Sequence, residues 1–487
     1  MPTIGAFKIA HMLRQQGYKV LVVNNLHTFS EQEFEELIFL AVSKKTKFVG
    51  ISTTFLWLYD DCMFPQGSWF EYVAVEKLKK INPDIKLVVG GTKAYSGYNN
   101  RWADYAIVGY GETSILNLMN HLDHSTALKN SHKNIHGVTI IDDKLAPGYE
   151  FTKDSMRWLP EDVVNYKSIP IEMARGCIFK CKFCAHMMTG KKKLDYIKEF
   201  DIMKEEMTQI YKDYGITHYV CLDDTFNDNV DKLYAINDVI QSLDFQPKFW
   251  AYNRLDLISS FPETLPLLDS IGIRASFFGI ETLDPTAAKI IGKGSDRQKL
   301  LDMLTNMHEN YPQISKHCSF IAGLPHESAD SFKNTVYRIL SGEIKVDSFS
   351  MQPLRLQKPN TYQADSTFDS IAKDYGYEEL SFNDPKHNRQ FNNVSINWKS
   401  PWWNYRDAYD FIEKMYEVAF RSEHASYMEG LWAMGMHSYE DQNPFFTFDN
   451  VRKTKMPDFN FDLLHRVRDV FDQEYKRKLF KIIDHGA

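Results

Sequence analysis

Three of the chain's six cysteines, Cys177, Cys181 and Cys184, stand in one short stretch with the spacing C-x3-C-x2-C. Gly176 precedes the first and the aromatic Phe183 precedes the last. Thiolates this close on a single loop can each take one iron of a cuboidal [4Fe–4S] cluster and leave the fourth iron open to a small molecule. Arg175, Lys180 and Lys182 supply the cationic setting that favours thiolate over thiol. The other use of such a loop, a structural zinc site, wants a fourth ligand, and His186 is the neighbour that could supply it. Cys62, Cys221 and Cys318 are scattered singly, which is the usage of a reducing compartment and not of a disulfide framework.

Further polar residues recur just past short apolar runs. Asp223 and Asp224 follow His218–Leu222, and consecutive acids there are hard to explain as packing, because a buried carboxylate is costly unless paired. Arg254 follows Lys248–Tyr252, with Asp256 and Glu281 as possible structural ion-pair partners. Glu281 follows Arg274–Gly279, and Gly323 sits in Ala-Gly-Leu-Pro at the end of His317–Ala322. Together with Ile169–Ala174 and Val346–Met351 these runs predict six strands. Amphipathic helices separate them at Asp195–Tyr214, Val230–Leu243, Pro262–Ile271, Arg297–Tyr311 and Ser328–Leu340. Six β-α repeats predict a partial relative of the TIM barrel, which does its chemistry at the C-terminal strand ends.

The first part of the chain must form something else. Ile9, Met12 and Leu13 share one helical face, and Gly17 ends that helix. Buried parallel strands are predicted at Lys19–Asn24, Phe48–Thr54, Lys86–Val89 and Ala106–Val108, with helices at Glu31–Val42 and Phe70–Ile81. That is an open α/β sheet flanked by helices. Small residues follow its strand ends: Ser52, Thr53 and Thr54, then Gly90, Gly91 and Thr92, then Gly109, Tyr110 and Gly111. Ligands of such sheets sit outside those ends. Gly137–Ile141 predicts a small hairpin. The expected organisation is an open-sheet domain over 1–145, a linker over 146–168, the barrel over 169–357 and a helical, aromatic-rich region over 358–487. Trp402 and Trp403 in that region suit a core or a lid.

The motifs, taken in order, resemble the radical S-adenosylmethionine (radical SAM) superfamily, in its class with an N-terminal cobalamin-binding domain. The resemblance implies that the three cysteines hold a [4Fe–4S] cluster and that Phe183 lies near the adenine of SAM. It gives Asp223 or Asp224 the amino group of SAM, in place of the usual Gly-Gly-Glu, and Arg254 the carboxylate, for which a guanidinium fork is suited. Glu281 is expected at the ribose and Gly323 at the adenine, and Ser52, Thr53, Gly90, Gly91, Gly109 and Gly111 around cobalamin. Two departures bear on cobalamin. The family's first strand is not seen ahead of Pro2–Gly17, and the Asp-x-His-x-x-Gly element that supplies a lower axial histidine is missing, so neither His11 nor His27 is expected to ligate cobalt.

The activity so implied is reductive cleavage of SAM to a 5′-deoxyadenosyl radical, leading to cobalamin-dependent methylation of an unactivated carbon. The alternatives are a cobalamin-independent radical rearrangement or cyclisation, and a non-catalytic iron–sulfur redox sensor. The substrate is expected to be a small molecule or a peptide, and the electron donor a flavodoxin or ferredoxin. A net charge of −7 argues against a nucleic-acid partner bound by bulk electrostatics. No apolar run approaches the roughly 20 residues that cross a bilayer. The chain reads as cytoplasmic.

Overall fold

The computed structural model describes residues 3–53, 74–91, 94, 102–134, 136–143, 146, 148–164, 166–184, 190–191, 195–294, 296–356, 366–380, 397–422, 439, 443–447, 450–451, 454 and 458–484. Thr54, Cys62, Thr92, His186, residues 70–73 of one expected helix and residues 423–435 lie outside the described residues. Backbone contacts divide the chain into two units. One comprises Pro2–Glu150, Met156–Asn165 and Arg468–Ala487; the other comprises Phe151–Ser155 and Tyr166–Val467.

The first unit is built on a five-stranded sheet of β1 (Phe48–Ser52), β2 (Lys86–Gly90), β3 (Tyr105–Val108), β4 (Ser131–Lys133) and β5 (Thr139–Asp142), in the order β1-β2-β3-β5-β4. All pairs are parallel except β4 with β5. Apolar residues alternate between two helical layers. Leu87, Val89 and Ala106 pack with Phe34, Leu37 and Leu78, whereas Val88 and Ile107 pack with Leu13, Ile115 and Leu118. Burial on both faces is why these strands read as nearly continuous apolar runs. Helix Glu31–Ala41 starts where it does because Ser30 and Glu33 form a reciprocal capping box.

Lys19–Asn24, expected as a strand, makes no sheet pairing among the described residues. Side chains bond two of its backbone groups. The Arg14 guanidinium donates to the Val20 carbonyl at 3.2 and 2.7 Å, and Asn24 N–H donates to the Tyr475 hydroxyl at 2.7 Å. Tyr475 comes from the C-terminal helix Phe461–Asp484, whose Tyr475 and Leu479 join the core of this unit.

The second unit carries six parallel strands: β6 (Ser168–Ile171), β7 (His218–Cys221), β8 (Lys248–Asn253), β9 (Ile273–Glu281), β10 (Ser315–Ala322) and β11 (Ser348–Pro353). Their spatial order is their chain order. The helices between them start at side-chain caps such as Asn229, Asp284, Asp296 and Ser328. Past the barrel the chain is not wholly helical. β12 (Glu378–Leu380) and β13 (Asn397–Lys399) form a short antiparallel pair that seats Trp398 with none of its surface exposed. Farther on, Phe446, Val451 and Phe459 pack against Val220, Trp250 and Ala275 of β7, β8 and β9, closing one end of the inner barrel surface.

Candidate active site

β6 ends at Ile171, and a turn at Gly176, with φ 112°, leads into the cysteine loop. Cys177, Cys181 and Cys184 are half-buried thiols outside any disulfide. Backbone bonds pin the loop: Cys184 N–H to Cys181 O at 3.1 Å, Lys182 N–H to Ile291 O at 2.9 Å, and Lys191 N–H to Cys177 O at 3.1 Å.

The end of β7 supplies most of the remaining support. Asp223 is fully buried; its Oδ1 accepts from the N–H groups of Met173 and Ala174 at 2.9 and 2.8 Å. Its Oδ2 lies 3.1 Å from Lys232 Nζ, an ion-pair distance without hydrogen-bond alignment. Asp224, half-buried, accepts from Gly176 N–H at 3.0 Å, and the Thr225 hydroxyl lies 3.4 Å from Cys177 Sγ. Lys232 also reaches Asp228 at 3.2 Å, and Asp228 accepts from the Tyr196 hydroxyl at 2.7 Å. The consecutive acids are thus the fastening of the cysteine loop. Asp223 is spent inside the fold, which leaves Asp224 as the acid with accessible surface. Burial pushes the Cys177 thiol up from its ordinary value.

The cation at the thiols differs from those the sequence offered. Arg175 donates to Glu172 at 2.8 and 2.9 Å and lies over the Phe151 ring. It is Arg254 that reaches Cys181, with Nη1 at 3.3 Å from Sγ. Arg254 Nε and Nη2 hold Asp256 at 3.0 and 2.5 Å, and its guanidinium lies 3.9 Å from the centre of the Phe179 ring. The ion pair with Asp256 is therefore formed, and these three bonds leave two of the five guanidinium N–H groups for another acceptor. Sequence reasoning missed Phe179, Thr225 and Lys232. An aromatic between two cysteines and a lysine four residues past Asp228 were the available signals.

Glu281 closes β9 in the left-handed region, with φ 68°, a conformation that costs a non-glycine residue energy and gathers at functional sites. It is buried, and that burial raises its carboxyl against the opposing pull of Lys293 and Arg254. A Cβ on Gly279 would stand 2.5 Å from Glu281 Oε1, so the glycine makes room for this carboxylate. At Gly323, with φ 87°, the close neighbour is the chain itself. A Cβ there would lie 2.2 Å from the Trp398 ring, and the Tyr377 hydroxyl donates to the Gly323 carbonyl at 2.5 Å. Phe183 is half-buried on the cysteine loop. Trp403 is buried against Phe332 and Phe411, whereas Trp402 is half-exposed beside His326.

In the first unit, the small-residue loops lie at the ends of the neighbouring strands β1, β2 and β3. Thr53 is buried and ties two of them together, donating from N–H and Oγ1 to the Gly90 carbonyl at 2.7 and 2.8 Å. Ser52 is exposed. A Cβ on Gly90 would meet nothing within 4 Å, and Gly91 and Gly109 take φ of 97° and 85°. A Cβ on Gly111 would come 3.3 Å from Ile9, so that glycine serves helix packing. His11 bonds Gln15 on its own helix at 3.0 Å.

The donor set fits an iron–sulfur cluster. The loop offers three reduced thiols beside a fixed guanidinium. Among the described residues no three Cys, His, Asp or Glu side chains meet around one ion, and a cuboidal cluster does not ask them to, since each thiolate takes a different iron. The open ground at Gly90 and the neighbouring positive-φ glycines likewise fit a bulky ligand at that sheet edge.

Comparison with known proteins agrees with both units. Residues 171–338 match the family model of the radical SAM superfamily, and residues 1–119 match that of the B12 binding domain. An uncharacterised methyltransferase of Pyrococcus horikoshii is 25% identical over 364 residues, spanning 69% of this chain and 72% of that protein. The fold is shared with TsrM, a radical SAM methyltransferase from Kitasatospora setae solved with cobalamin and a [4Fe–4S] cluster, at TM-score 0.66 and 13% identity over 96% of this chain and 97% of that one. It is shared also with OxsB, a cobalamin-dependent SAM radical enzyme, at TM-score 0.53 and 16% identity over 76% of this chain and 52% of that one. The chain belongs to the radical SAM superfamily, in the class where a B12-binding domain precedes the radical SAM domain.

Proposed function

We propose that this protein is a SAM- and cobalamin-dependent methyltransferase acting on a carbon of a small molecule. The observation that carries the reading is the three-thiol loop fastened by β7 and Arg254, in a chain that also bears a B12-binding domain. When bound, the cluster supplies the electron that cleaves SAM and the corrin carries the methyl group. The chain's own residues hold and orient. Cys177, Cys181 and Cys184 ligate, and Asp223, Asp224 and Thr225 keep that loop fixed. The two remaining N–H groups of Arg254 receive the methionine carboxylate, Asp224 receives the amino group and Glu281 the ribose. Phe183 covers the cluster side of the adenine, and Gly323 shapes the turn nearby. Ser52, Thr53, Gly90, Gly91 and Gly109 border the corrin site. We place the protein in the cytoplasm with a flavodoxin- or ferredoxin-like donor, on the strength of cysteines that form no disulfide among the described residues.

The test is anaerobic reconstitution with iron, sulfide and hydroxocobalamin, followed by assay of corrin content and of SAM products. Corrin uptake is expected in the wild type and its loss in Gly90→Phe, where the space beyond Cα is open. Gly91 is the poorer probe, because any side chain is strained at its φ of 97°. A reconstituted protein that takes up no corrin but cleaves SAM would replace this reading with a cobalamin-independent radical reaction.

A further inference from the structure

Helix Pro285–Ile291 ends beside the cysteine loop. Its last carbonyl, on Ile291, accepts from Lys182 N–H at 2.9 Å, and a Cβ on Gly292 would lie 3.6 Å from Cys181 Cα and 3.7 Å from the Lys180 carbonyl. The turn that follows folds back on the helix, with the N–H groups of Lys293 and Gly294 donating to the Ala288 carbonyl at 2.8 and 3.3 Å. The backbone of Lys293 is thus fixed close to the loop of three thiols. Its side chain reaches β9, where Nζ donates to the Gly279 carbonyl at 2.6 Å.

That bond sets the ammonium near Glu281. A Cβ on Gly279 would stand 2.5 Å from Glu281 Oε1 and 3.5 Å from Lys293 Nζ, so the two charged groups flank one spot at the end of β9. Glu281 is only 7% exposed, and among the described residues its carboxylate accepts no hydrogen bond. A buried carboxylate in that state is costly unless opposite charge and a donor reach it. Lys293 and Arg254 are the charges that oppose its desolvation. Arg254 is engaged by Asp256, Cys181 and the Phe179 ring, whereas the bond to Gly279 leaves Lys293 two of its three N–H groups. An ionised carboxylate accepts from hydroxyl donors in shorter and stronger bonds than a neutral acid does.

We propose that Lys293 is a positioning residue for SAM: held on the Gly279 carbonyl, its ammonium keeps the Glu281 carboxylate ready to accept from the ribose hydroxyls. The inference rests on the reading of Glu281 as the ribose contact. Lys293 acts through Glu281 and does not itself touch SAM. Because its turn is also fastened to Lys182, one short segment sets the ribose contact in place relative to the cysteine loop.

The test is equilibrium dialysis of SAM against the full chain with its reconstituted cluster, for wild type, Lys293→Gln, Lys293→Arg, Glu281→Gln and the double variant of Lys293→Gln with Glu281→Gln. Glutamine can still donate to the Gly279 carbonyl but brings no charge, and arginine keeps the charge. Lys293→Gln and Glu281→Gln should each weaken SAM binding about tenfold, the scale of a charged hydrogen bond, and the double variant should bind no worse than Glu281→Gln alone. Lys293→Arg should recover most of the affinity, and iron content should match wild type throughout. The proposal is overturned if Lys293→Gln binds SAM like wild type, or if Lys293→Arg is as weak as Lys293→Gln. It is overturned too if the loss persists in full when Glu281 is already Gln, which would put Lys293 on SAM itself. Loss of iron together with SAM in Lys293→Gln also overturns it, by making the lysine a support of the cysteine loop. A Glu281→Gln variant that binds SAM like wild type would remove the ribose reading and the proposal with it. A weak Glu281→Gln beside a normal Lys293→Gln would remove the proposal alone.

Discussion

The Arg254 side chain touches the Cys181 thiol and is oriented by Asp256. If its remaining N–H groups take the SAM carboxylate, Arg254→Ala should weaken SAM binding by about 1.5–3 kcal/mol, the worth of a charged hydrogen bond. An unchanged dissociation constant would reduce Arg254 to a support of the loop. Glu327 allows a second test of a single side chain. It is 1% exposed, and burial lifts its carboxyl to about 8. A raised carboxyl favours the folded state through its protonated form, so the contribution is whole below about pH 4.5 and is lost as pH climbs through about 8. Glu327→Gln should therefore flatten the fall in melting temperature between about pH 6 and pH 8.5. Parallel wild-type and variant curves would contradict this. The cysteine spacing was legible because ligand geometry leaves a fixed interval in the sequence. Glu327 was not, because nothing in Pro325-His326-Glu327 reveals how little water reaches the carboxyl.

Among the elements, the strand-end acids show what spacing could and could not give. Their position after β7 was legible, and their burden was not, because the donors they satisfy come from Met173, Ala174 and Gly176, some fifty positions away along the chain. Lys232 holds this junction together from the next helix, fully buried between Asp223 and Asp228. Lys232→Met should destabilise the second unit by about 3–5 kcal/mol, the scale for a buried charge left without its partner. Denaturant unfolding with iron retention as a second readout would check it; a variant as stable as wild type that keeps its iron would show that the lysine is dispensable. Lys19–Asn24 failed as a strand for a similar reason. Its apolar pattern is that of a strand, but Arg14 and Tyr475 take two of its backbone groups, and Tyr475 lies near the other end of the sequence.

At the scale of the whole molecule, periodicity was the strong signal. Six β-α repeats and a preceding open sheet follow from apolar runs of strand and helix period, and both units are present. The C-terminal stretch is mainly helical, as expected, over Tyr405–Phe420 and Phe461–Asp484, and its aromatics serve the barrel individually: Trp398 against Gly323, and Phe446 and Phe459 against the inner strands. Its last helix divides, with Phe461–Val467 in the barrel unit and the residues from Arg468 onward in the sheet unit. No described helix is long and apolar enough to cross a membrane. If one loop of three cysteines holds the cluster on which SAM is cleaved, iron content together with 5′-deoxyadenosine or methylated product after anaerobic reconstitution and reduction measures it directly. Wild type should hold about four irons per chain and consume SAM. Cys177→Ala, Cys181→Ala and Cys184→Ala should each lose both properties, while Cys318→Ala, in the barrel core, keeps both. Undiminished SAM cleavage by the triple variant would contradict the account.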